Sequence, residues 1–211
     1  MASDVLDTYS TLLTLMRGRR SIRRFRPDAL PPGTPDLLLE AARWAPSASN
    51  RQPFRFVAVE SPDTRARMAA LVREAVATTV ERLPEDRRDK VAAYARDFSC
   101  FADAPLVLAA YHRSTNLLAE MVGLPAEADV GAVSSVSAAI MNLLLAAHAL
   151  GLGACWMTGP LVAAPALQAL LEIPSGWKLS AVIPVGIPDE TPPAPARRTS
   201  GQLLRHHGGS R

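Results

Sequence analysis

The sequence predicts a mixed helix-and-strand fold, α+β or α/β, and argues against an all-β one. Three observations carry this. Apolar residues recur at helical spacing through several long segments. Only four short runs read as strands, placed irregularly among those segments. Apolar residues make up 48% of the 211 and charged residues 20%, the balance of a globular protein with a sizeable core.

The elements follow in order. Val5, Leu6, Tyr9, Leu12, Leu13 and Met16 give a first helix one apolar face, with Asp4 as its cap and Gly18 at its end. Pro27, Pro31, Pro32 and Pro35 mark a loop. Thr34 is placed to cap a second helix, with Pro35 at its first position, running to Trp44. Residues 54–60 read as a strand. Residues 63–98 read as charged helix broken near Pro84, with the span from Arg65 to Arg96 a solvated face. Residues 106–111 form a second, buried strand, and residues 113–128 a helix or loop. Residues 134–150 are almost free of charge but fall short of the roughly 20 apolar residues of a membrane span. They predict a central buried helix from about residue 129 to 150, where His148 reads as a core or interface residue. A third strand is expected over 154–158, closed by Gly159 and Pro160, then a short helix over 163–171 and a fourth strand over 178–185. Trp177 reads as packing at that strand's start. The tail, about 189–211, is rich in proline and arginine.

Several function classes drop out. A net charge of +3 is too mild by itself to argue for nucleic acid. The two cysteines, Cys100 and Cys155, form no CxxC pair and read as reduced thiols of a cytoplasmic protein. The four histidines form no spaced metal set, so no metal is expected. The first residues carry neither the basic start nor the apolar run of a signal peptide, and no membrane association is expected.

Four features can carry chemistry. Arg17, Arg19, Arg20, Arg23, Arg24 and Arg26 crowd ten residues around Ser21, with no acid among them. Guanidinium forks pair bidentately with phosphate, and a hydroxyl adds a further bond. In an extended stretch Arg19, Ser21 and Arg23 share one face, and Arg20 and Arg24 look elsewhere. The same cluster suits a solvated loop or a nucleic-acid-binding arm, but only Phe25 interleaves the arginines, which weighs against the latter. The second feature is the stiff loop from Ala45 to Phe54. Its small Ser47, Ala48 and Ser49 let a flat ring approach the backbone, and Asn50 and Gln52 can bond its polar edges. An ordinary helix-to-strand connection would look similar. Third, Gly151 and Gly153 precede a strand and permit close backbone approach, and the N–H groups of Thr158 or Gly159 could donate to a ring. Fourth, Arg197 and Arg198 could return to the same phosphate, or belong to a free tail.

Four ordered blocks, Arg19 to Phe25, Ala45 to Phe54, Asn142 to Trp156 and Pro184 to Pro188, resemble those of the nitroreductase family of flavoproteins. The blocks cover nearly the whole chain, and the middle matches only in helical character. The resemblance implies one FMN-binding domain over 1–211, of α+β fold, with a mostly antiparallel central sheet wrapped by helices. It implies a homodimer with FMN at the interface. Arg19, Arg20, Ser21 and Arg23 would hold the phosphate and ribityl chain. Pro46, Ser47, Ala48, Asn50 and Gln52 would contact flavin from the partner subunit. Trp156, Met157, Thr158 and Gly159 would lie beside the isoalloxazine, with the Thr158 or Gly159 N–H facing N5. Arg197 or Arg198 would complete the phosphate site.

The implied activity passes hydride from NADPH or NADH through flavin N5 to a nitroaromatic, quinone or related small acceptor by ping-pong turnover, with no catalytic side chain. In this family the middle region shapes the substrate pocket, which makes Tyr94, Phe98 and Phe101 candidates for its lining. Phe54 replaces the family's usual tryptophan, and Met141 stands where glutamine is frequent, so no polar contact is expected there. With 13 residues after Arg198, no long arm embracing the partner is expected. The alternatives are a specialised dehydrogenase or dehalogenase of the same fold, a non-catalytic flavin-binding protein and, last, a nucleic-acid-binding module.

Overall fold

The computed structural model describes residues 2–113, 121–122, 130–205 and 207. Its centre is a four-stranded sheet, every neighbouring pair antiparallel: β1 (Phe54–Val59), β2 (Leu106–Arg113), β3 (Gly153–Ala154) and β4 (Trp177–Gly186), in the order β1-β2-β4-β3. The alternation along β2 sorts the core into two layers. Leu106, Leu108 and Ala110 face a cluster with Leu38, Ile140 and Leu143. Val107 and Ala109 face a second cluster with Met68, Val72 and Phe101. Helices cover both sheet faces, and the fold is α+β as expected.

The first layer is built by α2 (Thr34–Arg43) and α5 (Val130–Ala149). On α5 the buried residues Ala132, Val136, Ala139, Leu143 and Ala147 recur every three or four positions, with Ile140 beside Ala139. This helix is long and apolar enough to cross a membrane, yet it is the core helix, packed on α2 and the sheet. The other layer contains α3 (Pro62–Glu81), α4 (Glu85–Ala95) and the short α6 (Ala164–Leu170). The expected break near Pro84 falls between α3 and α4.

The tertiary structure departs from the local reading in several places. Helix α1 (Ala2–Gly18) begins before Asp4, which lies inside it rather than capping it. Its apolar stripe is uncovered: Val5, Leu6, Tyr9, Leu12 and Met16 are all exposed. The α2 cap is Gly33, at φ 78°, while Thr34 is buried and donates from its hydroxyl to the Pro31 carbonyl. A left-handed turn there suits glycine, which leaves Thr34 to bond backward. The expected strand over 154–158 is paired regularly only at Gly153–Ala154 and resumes as a single bridge between Met157 and Val182. Arg65 is not part of a solvated face. It is buried and donates to the carbonyls of Glu60, Ala102 and Pro105, and burial lowers its pKa from the ordinary arginine value. The tail carries a short helix, α7 (Ser200–Leu203), started by a capping box at Thr199. Nearly all of the expected helix or loop over 113–128 falls outside the described residues.

Candidate functional site

The arginine segment leaves α1 and runs in extended form between two fixed edges. On one side Ser21 bridges Ala154, with the Ile22 N–H donating to the Ala154 carbonyl at 3.1 Å. On the other, Phe25 bridges Pro188, the Arg26 N–H donates to Ile187 and the Asp189 N–H to Arg24. Ile22 and Phe25 are buried, which pins the strip and fixes which side chains look out. Gly153 lies so close that a Cβ there would stand 2.8 Å from the Ile22 Cβ. The close approach expected of this glycine is therefore real, and what approaches is the arginine segment.

Cys155 lies beneath that strip. Burial raises its pKa; Arg23, the Ser21 hydroxyl that hydrogen-bonds the thiol, and Arg19 all pull it back down. Arg19, Ser21 and Arg23 thus all act on this one thiol. Arg20 folds back onto the end of α1. Its Nη1 donates to the Arg17, Gly18 and Arg19 carbonyls at the end of α1, and its buried Nε has no partner among the described residues. A cation there complements the carbonyl end of the helix.

Glu190 was not singled out by sequence reasoning. Its Oε1 accepts from the Arg23 N–H at 2.6 Å and the Arg24 N–H at 3.1 Å, and its Oε2 pairs with the Arg24 guanidinium at 3.3 Å. One signal was available: Asp189 and Glu190 are the only acids in the last 24 residues. The Arg24 side chain is 76% exposed, so the ion pair contributes little, and the two backbone bonds matter more. Glu190→Ala is expected to cost about 1 kcal/mol, because both donors are exposed and water can replace the carboxylate, and Glu190→Gln less, both read by urea unfolding.

A cleft of about 240 Å³ opens beside the strip, lined by Gly18, Arg19, Arg20, His148, Gly151 to Ala154 and Glu190. His148 belongs to this wall, with its ring against Gly18. Arg197 and Arg198 are exposed and line no part of it.

Trp156, Met157, Thr158 and Gly159 follow β3. Met157 is buried, and the Trp156 indole Nε1 is buried without a partner among the described residues. Thr158 caps a 3-10 turn, Gly159–Ala163, in which Pro160 has no N–H and the Leu161 N–H bonds the Thr158 carbonyl at 3.0 Å, so Gly159 carries the turn's first N–H. The Phe98 ring packs on Gly159 so tightly that a Cβ there would lie 2.4 Å from it. Cys100 is near, its Sγ 3.9 Å from the Met157 sulfur. Burial first, then Cys155, pushes its thiol up to about 11. The folded state therefore holds the proton more tightly than the unfolded chain. Stability from this thiol is intact below about pH 9, the ordinary value, and is lost as pH rises toward about 11. At pH 8 its alkylation is expected to run about a hundredfold slower than a free thiol's, followed by mass spectrometry.

The loop after α2 forms a second cleft. Pro46, Asn50 and Gln52 line it together with Arg43, Trp44 and Ala45, and it shares no residue with the first. Ser49, Asn50 and Gln52 have φ of 51°, 53° and 48°, three left-handed residues within four positions and none a glycine. Such strain is held by its surroundings and clusters at ligand sites. Here Ser47 Oγ accepts from the Gln52 N–H at 3.0 Å, while Ser135, buried on α5, lies 3.4 Å from the Ala48 N–H. Within one protomer Arg19 and Arg20 share the first cleft, Ser21 and Arg23 line neither of the two, and Pro46, Asn50 and Gln52 share the second.

Comparison with known proteins gives this geometry a family. The profile of the Nitroreductase family matches residues 16–187. The chain belongs to the nitroreductase family. This nitroreductase-family chain is 34% identical to the 5,6-dimethylbenzimidazole synthase of Rhodospirillum rubrum over 92% of its length and 90% of that protein's. Its fold matches a BluB-like flavoprotein from Clostridium difficile 630, with TM-score 0.81 and 22% identity, over 93% of this chain and 98% of that one. It also matches oxidized iodotyrosine deiodinase bound to FMN and 3-iodo-L-tyrosine, with TM-score 0.74 and 26% identity, over 93% and 98% of the two chains. The nitroreductase family is an oxidoreductase class, and FMN is bound in neighbours of this fold.

Proposed function

We propose that this protein is an FMN-dependent oxidoreductase whose flavin lies between two subunits of a homodimer. The observation that carries the reading is the separation of the two clefts. The arginine strip has phosphate-binding groups but little room, and the strained loop from Pro46 to Gln52 belongs to another surface. A second copy is what could bring them together, and the uncovered stripe of α1 supplies apolar area for such an interface.

The residues fit the cofactor. Arg19 and Arg23, with the Ser21 hydroxyl, can hold a phosphate dianion by charge-assisted bonds. Arg20 lines the cleft beside Arg19, and its buried Nε has no partner among the described residues. Arg197 or Arg198 would reach that phosphate only by a movement of the tail. Asn50 and Gln52 can bond the ring's polar edges from the partner, and Pro46, Ser47 and Ala48 keep that surface stiff and small. The Thr158 or Gly159 N–H can donate toward N5, and Trp156 and Met157 close the site beside it. When bound, FMN supplies two-electron hydride chemistry at N5. The protein orients the ring and stabilises negative charge on it.

NADPH or NADH is the proposed donor, and a nitroaromatic, quinone or related small molecule the acceptor, in the cytoplasm. The likeness to a 5,6-dimethylbenzimidazole synthase favours a second reading, a specialised flavin reaction of the same fold. Anaerobic NADH or NADPH added to the FMN-loaded protein tests the first reading, since the flavin band at about 450 nm should bleach within turnover time. Bound flavin that stays oxidised, together with 5,6-dimethylbenzimidazole detected after aerobic incubation with reduced FMN, would select the second.

A further inference from the structure

Away from both clefts, α3 and α4 diverge around a groove of about 270 Å³. Val72, Val76 and Val80 wall it from α3, and Ala92, Ala95 and Phe98 from the α4 side. Only Arg73, Arg96 and Ser99 bring polar groups to it. Both arginines are exposed, and neither pairs with a carboxylate among the described residues, although Glu74 and Asp97 are their chain neighbours. An apolar trough with two unengaged guanidiniums has the polarity of an amphipathic anion's receptor. The volume narrows the class. Drug-sized ligands and cofactors occupy about 300–1,000 Å³, so this groove suits a short chain or single ring.

We propose that the groove between α3 and α4 binds a small amphipathic monocarboxylate, its alkyl or aryl part among the valines and its carboxylate between Arg73 and Arg96. Guanidinium forks match a carboxylate bidentately, and the two exposed arginines place it at the rim of the groove. The site shares no residue with the arginine cleft or with the Pro46 loop. It meets the proposed flavin site only at Phe98, whose ring also packs on Gly159.

Isothermal titration calorimetry of the full-length, flavin-free protein with octanoate, octanol and octyltrimethylammonium tests the proposal independently of FMN. Octanoate should bind at least about tenfold more tightly than octanol, and the cation not at all. Arg73→Gln with Arg96→Gln should reduce octanoate to octanol's affinity, while Arg73→Lys with Arg96→Lys retains most of the difference. Val76→Trp should fill the trough and abolish binding, in a protein whose circular dichroism is unchanged. Absence of octanoate binding, equal affinity for octanoate and octanol, or binding that survives a folded Val76→Trp variant each overturns the assignment. Retention of bound FMN by the groove variants would show that any loss of octanoate is local to the groove.

Discussion

Replacing Arg19 and Arg23 together with alanine is expected to strip FMN from the protein. Each charge-assisted bond to a phosphate is worth roughly 1.5–3 kcal/mol, so the pair should cost a hundredfold or more in affinity. The fold should survive, because the strip is held by backbone bonds to Ala154, Ile187 and Asp189 and by the buried Ile22 and Phe25, not by these two side chains. Fluorescence titration with FMN measures the loss, and urea unfolding of the apo-protein measures stability. Unchanged affinity in the double variant would remove both residues from the phosphate site. Loss of fold with loss of flavin would instead make them structural.

The second large effect is expected at Gly153. A methyl group there would lie 2.8–2.9 Å from three carbons of Ile22, one of them the Cβ next to the backbone. No rotamer of Ile22 moves its Cβ, so Gly153→Ala must push the arginine strip away from β3. Overpacking of this kind costs about 1–3 kcal/mol. It should also lengthen the Ile22 N–H to Ala154 bond and displace Ser21 and Arg23, so FMN affinity falls along with the melting temperature. Gly151→Ala is the contrast. Among the described residues no atom lies within 4 Å of a Cβ there, but φ is 75°, so its cost is backbone strain without steric pressure on the strip. Weaker flavin binding in both variants alike would detach the effect from the Ile22 contact.

The α1 stripe bears on the proposed dimer. Five exposed apolar residues on one helix face are more than a monomer's scattered apolar surface explains. The regular spacing of Val5, Tyr9, Leu12 and Met16 was legible in the sequence, but periodicity reports a face that wants cover, not what covers it. Likewise the apolar run on α5 was read correctly as a buried helix, because its length and the polar residues within it argue for a core. Asp4 and Thr34 were misplaced as caps because cap preference is a local bias. The helix began earlier in one case, and in the other a left-handed Gly33 did the capping.

The sequence by itself determined the order of helices and strands, the central buried helix, the arginine strip, the small-residue loop and the close-packed glycine. Each depends on periodicity or on turn chemistry confined to a few neighbouring residues. Only the tertiary structure decided that Glu190 bonds the Arg23 and Arg24 N–H groups across 167 and 166 residues of chain. It alone turned Arg20 back onto α1, buried Arg65 among three carbonyls and left the two ligand-shaped clefts apart. Those outcomes depend on which elements pack side by side, and a side chain's partner across the fold is chosen by that packing rather than by its neighbours in sequence.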